Sequence, residues 1–319
     1  MKKAIVTGAS GYIGSVLCKM LKENDYHVTG IDTDSRPDKS QAKYCDVFYH
    51  SDFSLMMNLI EKDTTIFHLA ASSLLGPSAT EPLRYFENNT AKTLKLIQNL
   101  RPSNRFIFAS TAAVYGHNNG NRNTPKYEEM DLNPPNNYGL SKLWCEQMLD
   151  SCYKLNNLQA TSFRFFNVIG AYGDRGQQKC TPHIINKLCE SAASGKPFIV
   201  YGNDWWTPDG TCIRDYLHVI DVCRALIHAD EHMRIKNEVC HHKFNLGTRT
   251  GTSVKEIVDI FRTIVKDVNI QYGERREGDP AFLVADPSLF CQRTSFKYNY
   301  NNDDLYEIID GAWRFYNAI

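Results

Sequence analysis

Lys3-Ala4-Ile5-Val6-Thr7-Gly8-Ala9-Ser10-Gly11-Tyr12-Ile13-Gly14 is the stretch on which the fold turns. Its first five residues form a short apolar run suited to a buried parallel strand; glycines interrupt it, and a helical pattern follows through Leu21. Gly8 permits the tight turn, Gly11 lets a pyrophosphate approach the backbone, and Gly14 allows the helix to pack closely on the strand. A diphosphate then rests on the helix N-terminus beside Tyr12 and Ile13. Glycines alone carry little weight, so the context decides. A second strand, His27-Val28-Thr29-Gly30-Ile31, ends at Asp32, eighteen residues past Gly14. A carboxylate there accepts the ribose hydroxyls of NAD and repels the 2′-phosphate of NADP. Arg36 would welcome that phosphate, but Asp32 is the closer residue, and the balance favours NAD.

The same alternation continues along the chain. Tyr49-His50-Ser51-Asp52-Phe53 reads as the polar step after a third strand, where Asp52 either reaches an adenine amino group beside Phe53 or caps a helix. Thr65-Ile66-Phe67-His68-Leu69-Ala70-Ala71 reads as a fourth buried strand. Its small end at Leu69 and Ala70 lets backbone lie against a cofactor, and His68 reads as structural. A helix over about 83–100 carries Asn88-Asn89-Thr90, which either face solvent or, through Asn89, brace the sheet. A fifth strand, 105–109, delivers Ser110 and Thr111 to the strand C-termini, where open α/β sheets bind ligands, and a sixth, 160–166, ends at Phe166 and Asn167. Strands alternating with helices predict a doubly wound parallel sheet.

Between the last two strands lies Tyr138-Gly139-Leu140-Ser141-Lys142, in a helix that Asn136 is placed to cap. A phenol and an amine four residues apart share one helix face. A tyrosine hydroxyl, with an ordinary pKa of about 10, is too weakly acidic to serve as a base near neutrality, and an adjacent ammonium pulls the value down. The expectation is therefore a proton-transfer pair in which Lys142 activates Tyr138.

The 319 residues balance 36 acidic against 36 basic side chains, so no global field attracts nucleic acid or an acidic membrane surface. Ten scattered cysteines with no Cys-x-x-Cys, and no leading signal peptide, predict buried thiols in a reducing cytoplasm. His241-His242 would point to opposite faces of a strand, so no metal is expected. No apolar run approaches the roughly 20 residues of a membrane span. Low complexity is limited to Asn-rich patches such as 117–123. After Asn167 the texture turns irregular through Gly170, Gly173 and Gly176, and a domain junction is expected there. Residues 1–167 would form a dinucleotide-binding domain, to which a segment near 213–247 returns, and 168–319 a smaller domain.

Phe165-Phe166-Asn167, Gly202-Asn203-Asp204, Asp209-Gly210-Thr211 followed by Arg214-Asp215-Tyr216, and Arg275-Arg276-Glu277-Gly278-Asp279, together with the glycine turn and the Tyr-Lys pair, resemble the extended short-chain dehydrogenase/reductase family. Within it they are similar to the UDP-hexose 4-epimerase branch, over nearly the whole chain. The resemblance implies a Rossmann-type α/β fold with a smaller C-terminal α/β substrate domain, bound NAD and a UDP-sugar substrate. The expected reaction interconverts UDP-glucose and UDP-galactose through a 4-keto sugar, and extends to the N-acetylated pair. It also implies a homodimer. Tyr138 would be the base at the sugar 4-hydroxyl, Lys142 would hold the nicotinamide ribose, Thr111 would bond the sugar oxygen, and Phe166 would pack near the nicotinamide. Asn167, Lys179, Arg214, Arg276 and Asp279 would hold UDP, with Tyr201 beside the uracil; arginine forks suit diphosphate oxygens.

Departures from the family pattern are Ser73, where a lysine near the cofactor diphosphate is common, Lys179, where an asparagine is common, and a short segment after Asp32. The position facing the sugar C2 substituent reads as Leu283, with Phe282 as the alternative if the register shifts by one. A dehydratase on this fold would carry Asp-Glu after Thr111, where this chain has Ala112-Ala113, and a UDP-glucuronate decarboxylase would need cations for the sugar carboxylate. A non-catalytic nucleotide sensor would have no use for intact Thr111, Tyr138 and Lys142.

Overall fold

In the computed structural model, residues 1–33, 43–116, 123–179, 181–276 and 278–319 are described. Arg36, most of the Asn-rich 117–123 patch, Cys180 and Glu277 therefore lie outside the described residues.

The chain opens with β1 (Lys2–Thr7), α1 (Tyr12–Glu23), β2 (Tyr26–Asp32), β3 (Val47–His50) and β4 (Thr64–His68). A long helical segment follows, made of α2 (Leu75–Thr80), α3 (Pro82–Tyr85), a π-turn over Phe86–Ala91 and α4 (Lys92–Gln98). Then come β5 (Arg105–Thr111), α5 (Asn137–Cys152) and β6 (Gln159–Phe165). The sheet is seven-stranded and wholly parallel, with two strands added on one side of β1 and four on the other, the outermost being the late strand β12 (Cys240–Leu246). The order reverses between β1 and β4, which is where a doubly wound sheet opens its ligand crevice.

Strand residues alternate between two cores, as a period of two demands. Val6, Phe67, Ile107 and Phe163 face α1 and α7 (Val219–Lys236), packing with Leu17, Leu21 and Leu226. Ile5, Ile66, Phe106 and Phe108 face the opposite side, packing with Leu96, Ile97, Cys145 and Leu149 of α4 and α5. The expected helix over 83–100 is thus observed as one run widened by a π-turn, and the expected strand at 65–71 already ends at His68. His68 is fully buried between the Thr7 and Thr93 hydroxyls, at 2.7 and 2.8 Å, and serves as structure.

Beyond β6 the chain makes β7 (Asn167–Ile169), a hairpin of β8 (Ala171–Tyr172) and β9 (Arg175–Gly176), α6 (Ile184–Ser194), β10 (Phe198–Tyr201) and β11 (Ile213–His218). After α7 and β12 come β13 (Gly251–Ser253), α8 (Val254–Ile264), β14 (Ile270–Gly273), β15 (Phe282–Leu283), α9 (Ser288–Thr294) and α10 (Leu305–Ala318). A third core joins Leu188, Val200, Ile257, Phe261 and Ile309 from these later elements. The buried Asp215 carboxylate ties them to the sheet, accepting from Thr248 N at 2.7 Å, Arg249 N at 3.1 Å and Ala285 N at 3.0 Å.

Candidate active site

The cleft begins at the glycine turn. Gly8 adopts φ +73°, and a Cβ there would stand 2.8 Å from Ala70 N. On Gly14 a Cβ would meet Gly8 O at 2.0 Å, so only glycine lets α1 sit this close to the strand. Gly11 is the N-cap of α1 and offers no side chain to it, which leaves the first backbone N–H groups of α1, at Tyr12 to Gly14, facing the cleft for an anion. At the end of β2 the Asp32 carboxylate accepts from Ser10 N at 2.9 Å and borders the same cleft, with Thr33, Ser51, Asp52 and Phe53 beyond it. A dinucleotide fits this donor set: glycine backbone and an uncapped helix for the phosphates, and a carboxylate for a ribose diol.

One cleft of about 970 Å³ continues from there along Leu69, Ala70, Ser110, Thr111, Tyr138, Lys142, Phe166 and Asn167. It ends against Tyr201, Arg214, Arg276, Asp279 and Leu283 from the later elements. That volume is at the upper end of the roughly 300–1,000 Å³ typical of single-ligand sites, as a cleft for two ligands side by side requires.

α5 presents the Tyr138-Lys142 pair as its spacing requires. Asn136 caps the helix, accepting from Gly139 N at 2.8 Å, and Gly139 is needed because a Cβ would lie 2.6 Å from Ala113 O. Lys142 Nζ donates to Ala109 O at 2.7 Å and stands 4.6 Å from the centre of the Phe108 ring. Burial lowers its pKa from the ordinary 10.5 to about 8. Tyr138 is half-buried with its hydroxyl deep in the wall; burial pushes it up to about 12, opposed by a hydrogen bond with the Thr111 side chain. The expected downward pull of Lys142 on Tyr138 is not what sets its value: burial raises it, and the Thr111 hydrogen bond is what opposes the rise. The Lys142 ammonium is engaged by the Ala109 carbonyl.

Ser110 lines the cleft, but its hydroxyl donates at 2.5 Å to buried Glu146, which also holds Arg164 at 2.7 Å with both side chains 1% exposed. This pair joins β6 to α5, so the Tyr-Lys helix is bolted to the sheet. Asn89 lies outside the cleft wall. Buried at 2% exposure, it braces Ser72 N and O at 2.8 and 2.9 Å and Ser141 Oγ at 3.0 Å. Asp52 caps the turn at Ser54 N (2.9 Å) while still bordering the cleft.

On the far side Arg214 is held by the carbonyls of Ile213 (2.9 Å) and Pro280 (2.8 Å), 3.9 Å from the Asp279 carboxylate. Arg276 stacks 3.7 Å above the Tyr201 ring. Leu283 pairs in register with Arg214 and borders both the cleft and the cluster holding Phe166, while Phe282 does not reach the cleft. Lys179 is placed away from the wall: its ammonium lies 3.2 Å from Ile319 O and 4.9 Å from the Tyr316 ring, drawn off by the last turn of α10. Gln177, His183, Lys187 and Lys196 also line the cleft, and they escape sequence reading because nothing in their spacing marks them.

A family model described as the NAD dependent epimerase/dehydratase family matches residues 4–247. A UDP-glucose 4-epimerase of Corynebacterium glutamicum is 33% identical, the match covering 99% of this chain and 96% of that protein. The crystal structure of UDP-glucose 4-epimerase from Brucella ovis in complex with NAD superposes with a TM-score of 0.89 at 33% identity, over 99% of this chain and 98% of the other. The UDP-Glc/GlcNAc 4-epimerase of Campylobacter jejuni does so with a TM-score of 0.81 at 31% identity over all of both chains. With the glycine cradle, the Thr111-Tyr138-Lys142 group and a match across three quarters of its length, the chain belongs to the NAD-dependent epimerase/dehydratase family.

Proposed function

We propose that the protein is an NAD-dependent UDP-hexose 4-epimerase, acting on UDP-glucose and UDP-galactose and also on their N-acetylated counterparts. The observation that carries the reading is one continuous cleft with Thr111, Tyr138 and Lys142 at its waist, the glycine cradle at one end and Arg214, Arg276 and Asp279 at the other. Bound NAD supplies a reversible two-electron acceptor for the sugar C4. Gly8, Gly11, Tyr12, Ile13, Gly14, Asp32, Asp52, Phe53, Leu69, Ala70 and Ser110 would hold it, through the backbone at the glycine turn and the Asp32 carboxylate at the ribose.

Tyr138 takes the proton from the 4-hydroxyl, and Thr111, hydrogen-bonded to Tyr138, orients that oxygen. A base at about 12 is mismatched to neutral pH, and positive charge beside the Tyr138 hydroxyl, as from Lys142 on the same helix face, would bring it toward working range. Arg214, Arg276, Asp279, Asn167 and Tyr201 anchor the UDP, which leaves the 4-keto sugar free to turn and present the other face of C4 to the nicotinamide position, from which the hydride would return while Tyr138 gives the proton back to the 4-oxygen. Phe166 packs beside the nicotinamide position.

Leu283 supports the wider sugar range. It is shorter than an aromatic residue, has no hydroxyl, and meets an N-acetyl methyl with apolar surface worth about 1 kcal/mol. The domain reading goes with this one: 1–167, with the segment near 213–247 returning to it, grips the cofactor and lends Asn167 and Arg214 to the UDP, which the remainder of 168–319 otherwise grips. A cytoplasmic homodimer completes it. Among the described residues no helix is long and apolar enough to cross a membrane. Leu83, Leu94 and Trp144 are exposed on the α3–α4 and α5 face, where Phe86 stacks on Trp144 at 4.7 Å. A second copy covering that face is measured by sedimentation.

The decisive experiment incubates purified protein, supplemented with NAD, with each of the four UDP-sugars and separates the C4 epimers. Interconversion of UDP-glucose and UDP-galactose is expected; a protein that binds UDP and NAD but interconverts none of the four removes the proposal.

A further inference from the structure

Of the described cleft-wall residues between 8 and 169, only Lys142 is cationic, and its ammonium is engaged by Ala109 O; the same wall carries the carboxylates Asp32 and Asp52. Among the described residues of this wall a dinucleotide would thus meet two carboxylates and one engaged ammonium, Ser73 contributing no charge. Directly behind this wall is one further ammonium. Lys92 Nζ lies 2.5 Å from Asp52 Oδ2 and 3.0 Å from Asn88 Oδ1, with both charged side chains about a quarter exposed. Asn88, itself in the wall, donates to Ser72 Oγ at 3.1 Å, and Ser72 is bonded through Asn89 to Ser141 on α5. Lys92 therefore joins the end of β3 to the loop after β4 and to the Tyr-Lys helix in one hydrogen-bonded belt. It sits there because the π-turn over Phe86–Ala91 ends at Lys92, and the i, i+4 spacing sets its ammonium over Asn88.

We propose that Lys92 is a positioning residue for the cofactor: from behind the wall it neutralises Asp52 and holds Asn88, so that the carboxylate beside the adenosine does not meet the anionic ligand uncompensated. The inference rests on the placement of the adenosine at Asp32 and Asp52 given above. Burial tends to raise the Asp52 carboxyl, but the bonds from Lys92 and Ser54 overcome it, so that Asp52 is held below the usual carboxylate range and remains ionised. Without Lys92 that charge would stand uncompensated beside an anionic ligand. Coulomb repulsion of this kind weakens binding without touching the reacting atoms.

The test is a double-mutant cycle on cofactor affinity. Parent, Lys92→Met, Asp52→Asn and the double variant are freed of nucleotide, and activity is followed as NAD is titrated back. Lys92→Met is expected to raise the NAD dissociation constant about ten-fold, with kcat at saturating NAD and the KM for UDP-glucose within about two-fold of the parent. The deficit should shrink as salt screens the exposed carboxylate, and should largely disappear in the Asp52→Asn background. Lys92→Arg should stay close to the parent. If Lys92→Met is not recovered folded, Lys92→Gln, which keeps a donor without the charge, takes its place in the cycle. An unchanged NAD affinity, or a loss that persists undiminished with Asp52→Asn, overturns the proposal. Asp32→Ala separates the two levels: if it weakens NAD while Lys92→Met does not, the Lys92 role alone fails; if neither does, the cofactor placement has failed as well.

Discussion

Replacing Lys142 with methionine should make the NAD-free protein more stable near pH 6.5 while abolishing its activity. The ammonium titrates at about 8 in the fold against an ordinary 10.5, because burial removes it from water. At about pH 6.5 the side chain is protonated in both states, and keeping that charge inside costs about 3 kcal/mol. Methionine matches the stem and carries no charge. It forgoes the bond to Ala109 O and the contact over Phe108, about 1 kcal/mol, so the net gain is about 2 kcal/mol, a rise of about 3 °C in Tm for a chain of this size. The sign of the pH dependence follows from proton binding. Between about 8 and 10.5 the unfolded chain holds more protons than the fold, so wild-type stability rises with pH across that window. By about pH 9.5 roughly 2 kcal/mol of the cost has been recovered and the advantage of the variant should be near zero. Calorimetric melts of both nucleotide-free proteins across this range measure it. A Lys142→Met protein that melts below wild type at pH 6.5, or one whose advantage does not fall with pH, would refute the assignment of a strained, buried ammonium.

Tyr138→Phe should lower kcat by about 10²-fold or more while leaving UDP affinity nearly unchanged, because the ring still packs but accepts no proton; residual activity above about a tenth of the parent would exclude Tyr138 as the base. Leu283→Tyr should suppress epimerisation of the N-acetylated sugars selectively by overfilling the wall beside Phe166, and equal losses on plain and N-acetylated pairs would show that Leu283 is not the gate. Arg164→Met leaves Glu146 buried without its 2.7 Å partner and should cost about 3–5 kcal/mol of stability. A change in Tm of less than a few degrees would mean that Ser110 and neighbouring groups satisfy Glu146 alone.

Much of the protein is legible in one dimension because the physics concerned is local. A glycine turn between a strand and a helix requires only adjacent residues, and Gly8 and Gly14 stand where backbone approach leaves no room for a Cβ. Four-residue spacing puts Tyr138 and Lys142 on one face whatever packs around them, and Asn136 caps their helix through Gly139 N. The strand alternation likewise predicts the doubly wound sheet. What tertiary structure alone decides is the environment. Desolvation raises Tyr138 where an adjacent ammonium alone would lower it. α10 draws Lys179 away from the cleft, the pairing of β11 with β15 brings Leu283 rather than Phe282 to the wall, and a π-turn carries Lys92 to an aspartate forty residues earlier in the chain. Spacing along a chain determines which groups share a face; the dielectric and the partner that each group meets depend on segments far away in sequence, and those set its charge.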